Sequence, residues 1–244
     1  MKYILNKQIP IPLYYQLKQY LEEKIERGDL KPGEFIPSER EMSEQFGISR
    51  MTVRQALQEL VVEGKLIREK GKGTVVAEPK INQGLLKLTS FSEDMLSRGM
   101  RPGAKVVDVS VKTEHSGISK KLRIGEDAPL LVITRVRMAD EQPMALETTH
   151  LPLSRFAGLD KDNFKNMSIY EHLKDQYGVV TTSATQTIEV GMPNTREAEL
   201  LKIERNVPVI LIERVTFDQQ REPMELVKST YRGDRYKLYA ELER

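Results

Sequence analysis

The sequence predicts an α+β chain of two domains: a small helical head ending in a β-hairpin, and a larger, mostly antiparallel sheet domain. Three observations carry this prediction. The 244 residues amount to about 1.6 domains at roughly 150 residues each. The first third runs as three apolar-periodic helical stretches punctuated by glycine, followed by two short extended pieces. Beyond it, a pattern recurs 79 positions later, Leu122 being answered by Leu201 and Val136 by Val215. The expected boundaries are 1–78 for the head, 79–88 for a polar, weakly patterned linker and 89–244 for the second domain.

In the head, Pro12 suits a helix start, Leu13, Leu17, Leu21 and Ile25 share one face, and Gly28 closes the helix. After Pro32, Gly33 and Pro37, the pair Ser38 and Glu41 has capping-box spacing and opens a short helix ending at Gly47. Ser49 caps the next helix, in which Val53, Ala56, Leu57, Leu60 and Val61 form one stripe up to Gly64. Residues 65–68 and 74–77 then read as strands joined by Glu69-Lys70-Gly71-Lys72-Gly73, a turn with two glycines. Three helices and a basic hairpin outline a winged helix-turn-helix, whose last helix enters the major groove of DNA.

In the second domain, 122–124 with 128–136 answers 201–203 with 207–215, and Pro143-Met144-Ala145-Leu146 answers Pro223-Met224-Glu225-Leu226. Each copy reads strand, short helix, strand, turn, strand. Two such copies predict a pseudo-symmetric antiparallel sheet with helices on one side.

Composition narrows the function. The 38 basic and 36 acidic residues leave a formal charge of only +2, so attraction to nucleic acid must come from placement. Gly47 to Gln58 holds two arginines and no acid, and Gly64 to Ala77 four basic residues against Glu69 alone. The absence of cysteine excludes disulfides and thiolate chemistry and fits a reducing cytoplasm. His115, His150 and His172 lack metal-site spacing, so neither a metal nor a cofactor is expected. Met1 to Lys7 lacks the apolar stretch of a signal peptide and no run is long enough to span a bilayer; the expectation is a cytoplasmic protein with no membrane partner.

Arg50 and Arg54 lie one turn apart at the start of the third helix, where an arginine fork matches guanine O6 and N7. The ordinary alternative is a solvated face paired with nearby glutamates. Gly71 and Gly73 permit the hairpin turn and also a close approach to a minor groove. Gly-Lys-Gly-Thr at 71–74 is not a phosphate loop, because a hairpin surrounds it. In the second domain, strand parity puts Arg135 and Arg137 on one face, where two cations need either cross-strand glutamates or an anionic ligand. Ser90 and Ser168 open helices with a glutamate three residues on, which capping or phosphate binding explains equally. Arg232-Gly233-Asp234 reads as a turn, glycine supplying an unusual backbone angle.

The run Pro37-Ser38-Glu39-Arg40-Glu41, with Phe46-Gly47-Ile48-Ser49-Arg50-Met51-Thr52-Val53-Arg54-Gln55-Ala56-Leu57 after it, resembles the GntR superfamily of bacterial regulators. That resemblance implies operator contacts at Arg40, Arg50 and Arg54 and at the wing tip Lys70, Gly71 and Lys72, with Ser49 and Thr52 beside them at the helix start. Leu88 to Met95, Thr134 to Arg137, Ser168-Ile169-Tyr170 and Tyr231 to Tyr236 resemble the effector domain of the HutC subfamily, whose fold is similar to chorismate lyase. Within it the likeness is strongest to regulators of N-acetylglucosamine utilisation. This implies a phosphorylated amino sugar, glucosamine-6-phosphate or N-acetylglucosamine-6-phosphate, as effector. Its phosphate contacts would be Ser90, the Phe91 backbone, Arg135, Arg137, Ser168 and Tyr170; its sugar contacts Glu147, Glu225 and Tyr231. Asn166 stands where serine is usual in that cradle, and its amide can still donate.

The expectation is thus a homodimeric repressor on a palindromic double-stranded operator, with the sugar phosphate shifting the placement of the heads and weakening DNA binding. Two other readings are kept: the same regulator with a different effector, and a lyase-like enzyme. The enzyme has little behind it, since no Ser-His-Asp elbow or metal set is present.

Overall fold

A computed structural model describes residues 5–69, 71–113, 117–159 and 169–242. The chain divides into two compact units, Met1–Lys80 and Ile81–Arg244.

The first unit holds α1 (Leu13–Glu26), α2 (Glu39–Phe46), α3 (Arg50–Val62), β1 (Leu66–Glu69) and β2 (Gly73–Val76). Local chemistry sets each end. Ser38 and Glu41 close a reciprocal capping box on α2, and Gly47, at φ 62°, ends it in the left-handed region that suits glycine. The Ser49 hydroxyl accepts from Thr52 N at 3.1 Å to start α3. The apolar stripes meet in one core: Leu17 and Leu21 from α1, Met42 from α2, and Val53, Ala56, Leu57 and Leu60 from α3, closed by Leu66 and Val76 of the hairpin. Each fully buried leucine stabilises the head by about 1.5–3 kcal/mol. β1 and β2 pair antiparallel with Glu69 opposite Gly73, which completes the winged helix-turn-helix.

In the second unit the strands are β3 (Ile81–Gly84), β4 (Pro102–Lys112), β5 (Leu130–Ala139), β6 (Gln142–Pro152), β7 (Thr181–Gly191), β8 (Val209–Asp218), β9 (Pro223–Arg232) and β10 (Tyr236–Tyr239). The helices are α4 (Phe91–Ser97), α5 (Ile118–Leu122), α6 (Ile169–Tyr177) and α7 (Thr195–Leu201). Six strands form one antiparallel sheet in the order β4-β5-β6-β9-β8-β7, the second copy being the mirror order of the first. The copies interlock: α5 packs on β9 of the other copy, and α7 on β6.

Three expectations need correction. Residues 81–84, expected within the linker, form strand β3, paired in parallel with β10; their partner lies some 150 residues away, out of reach of any local pattern. Helices cover both faces of the sheet, not one. Leu130 and Val132 pack with Leu122 of α5 on one face, whereas Leu131 and Ile133, one residue out of phase, pack with Ile169 and Leu173 of α6 on the other. Gly233 is glycine for closeness rather than for a left-handed backbone: a Cβ there would meet the Pro208 carbonyl oxygen at 2.3 Å.

Candidate functional site

The face of the sheet that carries α6 also carries the two arginines. Residues 135 and 137 of β5, 147 and 149 of β6, 225, 227, 229 and 231 of β9 and 210, 212 and 214 of β8 line a cleft of about 980 Å³, counted out to its open mouth. The start of α4 with Ser90 and Phe91, the start of α6 with Ile169 and Tyr170, and Gln83 to Leu85 of the β3 segment frame it. Ser90, Phe91, Arg135, Arg137, Glu147, Tyr170, Glu225 and Tyr231, eight positions singled out from the sequence, therefore converge on one cleft. Asn166 and Ser168 lie outside the described residues, as does Lys70 of the wing.

Arg135 and Arg137 are 3% and 5% exposed, yet they are partnered differently. Arg135 faces Glu147 across the β5–β6 register and donates through Nη2 to Oε1 at 2.6 Å. Arg137 has no carboxylate within salt-bridge distance among the described residues; it donates to Ser92 Oγ at 3.0 Å and stacks over the Phe91 ring at 4.8 Å. Arg135 Nε and Nη1 and Arg137 Nε are buried donors with no acceptor among the described residues. A buried unmet donor on a cation costs more than an ordinary missing hydrogen bond, so these groups favour an anion that can supply acceptors.

The two glutamates respond oppositely to one environment. Burial pushes both carboxyls up. At Glu147 the charges of Arg135 and Arg137 outweigh burial and hold the carboxyl below its usual range. At Glu225 burial, reinforced by the negative charge of Glu147, prevails over hydrogen bonds from Tyr170 at 2.5 Å and Thr216 at 3.0 Å, and the carboxyl is raised. Burial raises Tyr170 well above the phenol range and pushes Tyr231 up to about 12, so both phenols keep their protons as donors. Burial likewise lowers Arg137, opposed by Glu147.

Among the lining residues that escaped the sequence reading, two are polar partners of one another, Arg214 and Gln186. Arg214 of β8 enters the cleft and is held by Gln186 of β7, whose Oε1 accepts from Nη2 at 3.0 Å and Nε at 3.2 Å. The signal was available: the duplication sets Glu213-Arg214-Val215 against Thr134-Arg135-Val136, so Arg214 is the counterpart of Arg135. Ser90, by contrast, is occupied in a capping box with Glu93, so its hydroxyl has a structural duty independent of any ligand.

On the head, Arg40, Ser49, Arg50, Arg54, Gly71 and Lys72 are exposed and Thr52 is half-buried. Arg50 has no ion pair among the described residues. Arg54 does: its Nη2 and Nε lie 2.8 and 3.0 Å from Glu39 Oε2, the paired-face alternative raised from the sequence. Arg40 is 4.0 Å from Glu44, and Lys72 is 3.2 Å from Glu69. Gly71, at φ 76°, lets the wing turn. Among the described residues no cluster of metal-ligating side chains occurs and no helix is long and apolar enough to cross a membrane.

Residues 13–76 match the family model described as bacterial regulatory proteins, gntR family, and residues 97–237 match the UTRA domain. Over 240 residues the chain is 45% identical to the HTH-type transcriptional repressor NagR of Bacillus subtilis (strain 168), covering 98% of each protein. It is 37% identical over 206 residues to the HTH-type transcriptional repressor PhnF of Mycolicibacterium smegmatis, covering 84% of this chain and 83% of that protein. The crystal structure of PhnF from Mycobacterium smegmatis matches with a TM-score of 0.65 at 35% identity, over 94% of this chain and 98% of that one.

Proposed function

The chain belongs to the GntR family of bacterial regulatory proteins, a transcriptional repressor with a UTRA effector domain rather than an enzyme, and from that premise we propose that two copies bind a palindromic operator in the cytoplasm and leave it when each takes up a phosphorylated amino sugar. The observation that carries the effector class is the pair of buried arginines with unmet donors at the cleft floor. A phosphate supplies several acceptor oxygens and up to two negative charges there. Arg135, Arg137, the Phe91 backbone, Tyr170 and, by resemblance, Ser90, Asn166 and Ser168 take the phosphate. Glu147, Glu225 and Tyr231 then face the sugar, where a carboxylate beside a phenol suits hydroxyl and amino donors. Glucosamine-6-phosphate and N-acetylglucosamine-6-phosphate both meet this description.

On DNA, the start of α3 enters the major groove with Arg50 and Arg54 at base edges, Ser49 and Thr52 at the backbone beside them, Arg40 on an adjoining phosphate and Lys70, Gly71 and Lys72 at the flank. Effector binding weakens operator affinity through a coupling of about 1–3 kcal/mol.

Thermal unfolding against a panel of sugar phosphates and their unphosphorylated parents tests the effector. A sugar phosphate at a hundred times its Kd should stabilise the effector unit by about 2.7 kcal/mol, while glucosamine alone should leave Tm unchanged; an equal shift from both discards the phosphate assignment. For DNA, Arg50→Ala should cost about 1–3 kcal/mol at the operator and flatten base preference. An equal loss on random duplex would restrict Arg50 to phosphate contact.

A further inference from the structure

We propose that Glu39 is a positioning residue for DNA reading: it clamps the Arg54 guanidinium so that its terminal fork faces the base edges, and thereby sets the margin between operator and random DNA. The inference rests on the reading that Arg54 contacts the operator, and it adds a residue that touches no base.

Glu39 is the first residue of α2, Arg54 lies one turn into α3, and Arg68 is in wing strand β1. The Glu39 carboxylate gathers the two arginines. Its Oε2 accepts from Arg54 Nη2 at 2.8 Å and Nε at 3.0 Å, and Oε1 lies 3.2 Å from Arg54 Nε and 3.9 Å from Arg68 Nη2. Such an approach is side-on: it uses the Nε–H edge of the guanidinium. A guanidinium carries five N–H donors, so the end-on edge formed by Nη1 and the second Nη2 hydrogen stays free. That edge is the one that fits guanine O6 and N7. Among the described residues Arg54 Nη1 donates only to the Met51 sulfur, a weak acceptor at 3.9 Å.

An unclamped arginine on an exposed helix face would lose rotamer freedom only on binding. Here the loss is taken when the head folds. The pair is not explained as a stabiliser of the fold, because Arg54 is 53% exposed and Glu39 26%, a setting in which an ion pair contributes little. The carboxylate has a second effect: it offsets positive charge on the reading face, and so weakens sequence-independent attraction to phosphate more than it weakens end-on base contacts.

The test uses the full chain, an operator selected by the parent protein from random duplexes, and a scrambled duplex of equal length. Glu39→Gln removes the charge with little change of shape and leaves the Ser38–Glu41 capping box intact. Operator affinity should fall several-fold, scrambled-duplex affinity should hold or rise, and the ratio should drop about tenfold. On scrambled DNA the salt dependence should steepen by about 0.9 for each phosphate newly contacted. In an Arg54→Ala background, Glu39→Gln should leave the ratio unchanged, since the clamp then has nothing to hold.

Two results overturn the proposal while sparing Arg54 as a reader: an unchanged ratio in Glu39→Gln when Arg54→Ala alone still loses operator affinity, or equal losses on both duplexes accompanied by a lower Tm of the head. Full operator affinity in Arg54→Ala would instead overturn the reading of Arg54 itself.

Discussion

The two halves of the sheet share a backbone plan and divide its chemistry. Where the first copy has Arg135 facing Glu147 across the register, the second has Arg214 facing Val227; where the first has Arg137 facing Ala145, the second has Thr216 facing Glu225. The core positions beside them remain aliphatic in both copies, Leu131 and Ile133 against Ile210 and Ile212. Duplication thus preserved the apolar layer and exchanged the polar one. One half presents two buried cations with a single paired carboxylate, the other a cation tied to an amide and a carboxyl tied to hydroxyls. On the proposed reading, the anionic end of the effector would lie against the first half.

The sharpest way to break this comparison is to truncate the two equivalent arginines. Arg135→Met leaves Glu147 buried without its hydrogen-bonded cation and should destabilise the effector unit by about 3–5 kcal/mol. Arg214→Met removes hydrogen bonds to the neutral Gln186 amide and a lesser charge interaction with Glu147 and Glu225, and should cost about 1 kcal/mol. Calorimetric unfolding of the two variants measures both; equal losses would mean that the halves are partnered alike.

Next in size is ligand binding. Arg137 has no carboxylate within salt-bridge distance among the described residues and feels Glu147 only through space, so Arg137→Ala should spare the fold and cost about 1.5–3 kcal/mol of sugar-phosphate affinity, as loss of charge-assisted hydrogen bonds does. Titration calorimetry with glucosamine-6-phosphate decides it, and an unaltered Kd would move the phosphate out of the first half. A smaller effect belongs to the second half: Tyr170→Phe removes one donor to Glu225 and should cost about 1 kcal/mol of stability, read from the shift in urea midpoint at constant slope.

This division was partly legible in the sequence. Period-two alternation put Arg135 and Arg137 on one face, and helix caps at Ser38, Ser49 and Ser90 announce themselves locally. What escaped depends on distance along the chain. β3 finds its partner in β10, Glu39 reaches Arg54 fifteen residues on, and the one-residue phase difference that sends α5 and α6 to opposite faces appears only once both helices are docked. Arg214 is a different omission. The repeat aligned it with Arg135, but alignment of two strands does not say which side chains will meet over one cleft until the β6–β9 pairing closes the sheet.

The finest contrast is between the glutamates, and it is a matter of sign. Glu147 has a carboxyl held below its unfolded value, so its ionised form contributes stability above the unfolded pKa, near 4.3, that is lost as pH falls through the lowered folded value. Glu225 has a raised carboxyl: its contribution is full below the unfolded pKa and is lost as pH rises through the folded one. At neutral pH the first is therefore an asset to the unliganded fold and the second a liability. Glu147→Gln should lower Tm at pH 7.5, and Glu225→Gln should raise it. Both differences should shrink on acidification, the Glu225 difference first, because its carboxyl regains a proton at higher pH. Melting curves of the two variants and the parent between pH 4 and 8 follow this directly. Parallel responses would mean that the cleft treats its carboxyls alike, and that the neighbouring arginines do not reach Glu147 selectively.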